Sequence, residues 1–119
     1  MSAASRVVTP LTDADYHAKT HAVLSGIEAC ADRWLDEDLI DIDTQRNGGL
    51  LELSFPNRSK IIINTQPPLH EIWLAAKGGG YHFAYCDGAW LDTKDGTEFY
   101  ALLAREASAQ AGQALNFSV

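Results

Sequence analysis

The sequence predicts an α+β two-layer α-β sandwich, with two helices packed on one face of a roughly six-stranded antiparallel sheet. Three observations predict it. Residues 13–35 carry apolar side chains at helical spacing. Six short apolar runs follow, separated by Gly, Pro and Asn turns too short for parallel crossovers. A second helical period runs from about Gly96 to Ala111.

The first helix has a start signal. Thr12 can cap it, Asp15 stands three residues on, and Leu11 and Tyr16 have the spacing of a hydrophobic staple. At about 100° per residue, Tyr16, Thr20, Val23, Ile27, Cys30, Ala31 and Trp34 fall on one stripe, the expected core face. His17, His21, Glu28 and Asp32 project beside it, within a sector of about 60°.

The first strand is expected over Leu39–Thr44, with Ile40 and Ile42 on one side and Asp41 and Asp43 on the other. Asn47-Gly48-Gly49 is a hairpin signal. The second strand is Leu50–Phe55, and Pro56-Asn57-Arg58 turns the chain. The third is Lys60–Thr65. Gln66-Pro67-Pro68 bends it, because proline fixes φ and has no donor. His70–Ala76, Tyr81–Tyr85 and Ala89–Asp92 are the remaining strands, turned by Gly78-Gly79-Gly80 and Asp87-Gly88. Asp95 and Glu98 have capping-box spacing before the second helix, and Gly112 stops it. Alternation points Lys60, Asn64 and Trp73 away from the helices; an outward Trp is a natural partner anchor. His82 is a lesser surface candidate, and His70 reads as a strand-end structural residue.

The 119 residues fit one domain over 1–119, with 1–11 as a loose N-terminal tail. Sixteen acids against nine bases give a net charge of −7, which argues against nucleic acid. Residues 1–45 hold nine acids and three bases, so −6 of the imbalance lies in the first third. No apolar run approaches the roughly 18 residues of a membrane span, and the start has no signal-peptide stretch. Cys30 and Cys86 have no metal-type spacing, so the expected compartment is the cytoplasm.

The chemistry follows the acids. Asp36, Glu37 and Asp38 lie at the helix end, and Asp41 and Asp43 share a strand face about 7 Å apart. Such carboxylates hold hard cations with water completing the shell, which suits ferric iron, calcium, magnesium or manganese. His17 and His21, at i and i+4, can clamp ferrous iron or cobalt. No closed cage is legible, so binding is expected to be weak, exchangeable and spread over several sites. Two plainer readings stay open: a charged solubility surface, and solvated histidines. No EF-hand, P-loop, Rossmann, G-x-S-x-G or H-E-x-x-H motif occurs, and no enzyme is expected.

Several stretches together resemble the frataxin family in its bacterial form. They are Asn47-Gly48-Gly49-Leu50-Leu51, Ser59-Lys60-Ile61-Ile62-Ile63-Asn64, Gln66-Pro67-Pro68-Leu69-His70-Glu71-Ile72-Trp73-Leu74-Ala75 and Gly79-Gly80-Tyr81-His82-Phe83. The resemblance spans about residues 13–112. It implies the same sandwich and a role in iron–sulfur cluster assembly, as iron donor or sensor and regulator of a cysteine desulfurase and its scaffold protein. It implies weakly bound Fe2+ or Fe3+, replaceable by other divalent cations, and a monomer that oligomerises under iron load. The implied metal surface is His17, Glu28, Asp32, Asp36, Glu37, Asp38, Asp41 and Asp43, to which the helical spacing adds His21. The implied partner surface is Asn64, Gln66 and Trp73, with Lys60 beside them by alternation. A pure interaction module with incidental metal binding, and a weak ferroxidase, are the alternatives.

Overall fold

The structure, a computed structural model, describes residues 7–117; residues 1–6 of the expected loose tail lie outside the described residues. The order is α1 (Asp13–Asp36), β1 (Asp43–Asn47), β2 (Leu50–Ser54), β3 (Lys60–Gln66), a 3-10 turn (Pro67–Leu69), β4 (Glu71–Ala76), β5 (Gly79–Cys86), β6 (Ala89–Asp92) and α2 (Phe99–Ala111). The six strands form one sheet in chain order, every neighbour antiparallel. This is the predicted sandwich.

α1 starts where expected, the Thr12 hydroxyl accepting from the Asp15 amide at 3.0 Å. Every residue of the predicted stripe is buried, and Leu24 joins it. On the sheet, Leu51, Leu53, Ile61, Ile63, Ile72, Leu74 and Phe83 face the helices and are at most 1% exposed. Phe99, Leu102, Leu103 and Ala107 of α2 close the same core. Each large side chain so buried contributes about 1.5–3 kcal/mol. The outer face is different: Glu52, Ile62, Asn64 and Trp73 are half-buried, and Ala75 and His82 are exposed.

Tyr16 locks α1 to the sheet. Its ring is fully buried and stacks on His70 at 4.7 Å. Its hydroxyl donates to the Glu71 carbonyl at 2.6 Å and accepts from the Gln66 amide at 3.0 Å. Those two groups flank the 3-10 turn, so one side chain ties the start of α1 to the β3–β4 connection. Burial is the main cause that raises its hydroxyl pKa.

Several expectations need correction. The first strand is Asp43–Asn47, not Leu39–Thr44. Asp43 pairs with Ser54, and the Phe55 amide turns away to the Ser59 carbonyl at 2.9 Å, so residues 39–42 have no strand beside them. The helix end also claims that segment: the Leu39 amide reaches back to the Trp34 carbonyl at 2.8 Å, and Asp38 takes φ 60°. The second strand stops at Ser54 for the same reason. His70 precedes β4 in a left-handed conformation, paired with Asp13 at 2.7 Å. α2 starts at Phe99, because Glu98 is itself the cap: its carboxylate accepts from Tyr100 and Ala101 at 2.9 and 3.0 Å. Asp95 accepts from Thr97 instead, so no capping box forms. Part of the expected loose tail is tied as well, since Thr9 bonds to Tyr85 and Asp87 of the β5–β6 hairpin.

Gly49 shows how tightly the hairpin is built. A Cβ there would lie 2.0 Å from Thr65 Oγ1, so any side chain in the β1–β2 turn would force Thr65 to move.

Two outcomes follow from these contacts. Tyr16→Phe leaves the Gln66 amide and Glu71 carbonyl without their partner and should cost about 1–3 kcal/mol in urea unfolding; a loss below about 0.5 kcal/mol would contradict the lock. Tyr100 has its pKa raised to about 12, by burial first, then by the charges of Glu98 and Cys30. A raised folded pKa means stability that is complete below the unfolded value of 10.0 and is lost as pH rises toward 12. The alkaline fall in melting temperature should therefore shrink in Tyr100→Phe; an identical fall in both proteins would refute this.

Candidate metal and partner surfaces

The end of α1 and the lead-in to β1 concentrate acid. Asp32, Asp36, Glu37, Asp38, Asp41 and Asp43 are all exposed. Ile42 is buried between Asp41 and Asp43, so both carboxylates point to solvent although only Asp43 belongs to a strand. Among the described residues, no ion pair reaches any of the six. Asp36 and Glu37 also sit where a helix exposes its last carbonyls and the negative end of its dipole, where acids are unfavourable and a cation is favoured. The six therefore repel one another in high dielectric, relieved by salt or by a bound cation. Among the described residues, no three His, Cys, Asp or Glu side chains form a ready-made metal cluster. An ion here would keep much of its water and exchange readily.

The other predicted ligands stand apart, because a base separates them. Arg46 of β1 faces α1 and reaches Glu28 Oε1 at 2.6 Å, Ser25 Oγ at 3.4 Å and His21 Nδ1 at 3.0 Å, while its Nε donates to the Gly48 carbonyl at 3.3 Å. A guanidinium only donates, so His21 Nδ1 accepts and its Nε2 carries the proton, toward Ser25 Oγ at 3.4 Å. His21 is thus engaged on both nitrogens. Glu28 is half-buried in an ion pair, not an open carboxylate. His17 stays exposed, its ring edge-on to Tyr16 at 5.6 Å. A hollow of about 360 Å³ opens between His17, His21, Arg46, Gly49 and Pro67. The sequence-predicted edge is thus divided into an open acidic half and a half neutralised from within.

Sequence reasoning missed Arg46 and Ser25. A signal existed: had the first strand been carried to Asn47, alternation from Ile42 through Thr44 would have turned Arg46 toward the helix.

The outer sheet face holds the expected partner residues. Asn64 pairs with Trp73, Trp73 with His82, and Gln66 with Glu71. Trp73 does face outward, but it is half-buried: the His82 ring stacks on it at 4.0 Å and 6°, and its Nε1 donates to Glu71 Oε1 at 2.8 Å. The indole is therefore held flat and pre-ordered beside a hollow of about 240 Å³. Lys60 lies toward the other end of the face, 3.1 Å from Glu52. His70, held between Asp13 and Tyr16, braces the fold as expected. Cys30 and Cys86 are both buried.

Comparison with known proteins places this chain in a family. The frataxin-like domain model matches residues 9–113. The iron-sulfur cluster assembly protein CyaY of Variovorax paradoxus (strain S110) is 52% identical over 108 residues, covering 91% of this chain and 98% of that one. The protein of the same name from Polaromonas sp. (strain JS666 / ATCC BAA-500) is also 52% identical, over 91% and 93%. Among solved structures, the frataxin from Psychromonas ingrahamii superposes with a TM-score of 0.79 at 33% identity, over 92% of this chain and all of that one. The trimeric frataxin of Saccharomyces cerevisiae, complexed with ferrous iron, shares the fold with a TM-score of 0.64 at 24% identity, over 90% and 92%. With a family model covering nearly the whole chain and half-identical relatives end to end, the helix–sheet sandwich, its acidic helix end and its outward Trp73 belong to a member of the frataxin-like family.

Proposed function

We propose that this chain acts in iron–sulfur cluster assembly as a non-catalytic, iron-binding regulator. It docks on a cysteine desulfurase and its scaffold protein. The observation that carries the reading is the run of six exposed carboxylates from Asp32 to Asp43 with no cationic partner among the described residues. The half-identical relatives called iron-sulfur cluster assembly proteins supply the process.

Fe2+ or Fe3+ is cargo or signal here, and other divalent cations compete for the same oxygens. The open ligands are Asp32, Asp36, Glu37, Asp38, Asp41 and Asp43. Glu28 and His21 become ligands only where Arg46 swings away, and His17 lies at the margin. The same acids also attract a basic groove on the desulfurase, so iron and partner compete for one charge. On the sheet, Trp73 is the anchor for the scaffold, with Asn64 and Gln66 beside it and Lys60 toward the other end of the same face.

One observation favours a second reading, a pure interaction module. Among the described residues no cluster is prebuilt for a metal. Desulfurase binding with and without ferrous iron, for the wild type and Asp41→Asn/Asp43→Asn, separates the two. The iron-coupled reading predicts that iron weakens wild-type docking. The double variant should dock about three- to tenfold more weakly and respond less to iron, as expected for two exposed charges. Unchanged wild-type affinity on adding iron would leave the module reading standing. With the scaffold protein in place of the desulfurase, Trp73→Ala should lose binding while keeping a near-wild-type melting temperature; normal binding would remove Trp73 from the interface.

A further inference from the structure

The outer sheet face carries a second feature, at the end away from Trp73. A shallow depression of about 500 Å³ lies beside the β2–β3 turn and the adjoining ends of β3 and β4. Ile62, Ala75 and Ala76 line its floor, and Arg58, Lys60 and Lys77 its rim. Three of the chain's nine basic residues thus surround one apolar hollow on a protein of net charge −7.

The backbone sets this arrangement. Ile62 pairs with Ala75, so Lys77 stands level with Lys60 just past the end of β4. Arg58 is fixed in the turn at φ 73°, its amide donating to the Phe55 carbonyl at 2.9 Å. All three bases are exposed. Among the described residues no ion pair reaches Arg58 or Lys77. Lys60 meets Glu52 at 3.1 Å, but an exposed pair of this kind holds little and yields to a better partner.

We propose that this depression docks an acidic, extended segment of a partner protein. Its carboxylates would sit on Arg58, Lys60 and Lys77, and an apolar side chain on Ile62 and Ala75. Two facts favour an acidic peptide. A long polyanion such as nucleic acid would also meet the chain's net negative charge, whereas a short segment touches only the basic rim. β3 and β4 are already paired on both sides, so recognition works through side chains and not by adding a strand. The proposal extends the partner surface around Trp73, because Ile62 and Ala75 border both hollows. It needs neither iron nor the Trp73 anchor, and the test keeps them apart.

The probe is the labelled peptide Glu-Asp-Leu-Asp-Glu, with Gln-Asn-Leu-Asn-Gln as its uncharged counterpart, followed by amide NMR and fluorescence anisotropy. The acidic peptide should shift the amides of Lys60, Ile62, Ala75 and Lys77, and the uncharged one should not. Lys60→Glu/Lys77→Glu, two exposed changes, should weaken binding by about tenfold or more. Trp73→Ala should leave the peptide shifts in place, so failure of the Trp73 reading is seen separately, as normal scaffold binding by that variant. No shift with about 1 mM peptide would overturn the proposal. So would shifts confined to other faces, an unaffected charge-reversed variant, or short single-stranded DNA binding more tightly than the peptide. Leu35 and Leu39 are exposed among the acids of the α1 end, 52% and 47%, so a second copy could offer similar chemistry. Self-association in sedimentation that the charge reversal abolishes would identify the occupant as that copy and overturn the peptide proposal.

Discussion

The seat of α1 on the sheet is the constraint on which both surfaces depend, and Tyr16 fixes it. Its hydroxyl joins the two sides of the Pro67–Leu69 turn, and its ring lies flat on His70. With that end pinned, the stripe down to Trp34 sets the rotation of the helix. Rotation decides everything else. The face beside the stripe meets β1, and in the last turn Trp34 stays in the core while Asp32 and Asp36 face water. Removing the lock would loosen the helix without touching any of the exposed acids at its far end.

Packing also explains why the acidic surface is not uniform. Near the middle of α1 the helix lies against β1, and a carboxylate there cannot remain fully solvated. Arg46 compensates Glu28 at that point and also engages His21 Nδ1. Past Asp32 the acids face solvent, and among the described residues no ion pair compensates them. The result is a gradient along one helix, from charges neutralised within the fold to charges left for a ligand from outside. Charge clustering destabilises a fold by self-repulsion, and retaining it at an exposed helix C-terminus, against the dipole, is what a surface for cations or a basic partner requires.

Much of this was legible in the sequence, for identifiable reasons. The α1 stripe, the outward Trp73 and the all-antiparallel order follow from side-chain periodicity and short turns, which are local. The start of β1 was not legible, because pairing length is set by the partner: β2 ends where Phe55 turns to Ser59, and Ile40 and Ile42 alternate without a strand beside them. The cap of α2 was misplaced between two acids with equally good spacing, Asp95 and Glu98. Arg46 escaped notice because its role is tertiary; nothing in its neighbours says that Glu28, eighteen positions earlier, will be opposite. The His82–Trp73 stack likewise joins adjacent strands at a register that sequence alone does not state.

The central claim is that Arg46 divides the acidic surface. Anaerobic titration with ferrous iron, followed by amide NMR on the wild type and Arg46→Gln, tests it most directly. In the wild type, broadening should centre on Asp32 to Asp43 and spare His21 and Glu28. In the variant it should spread along α1 to include both. Equal broadening around His21 and Glu28 in the two proteins would contradict the division.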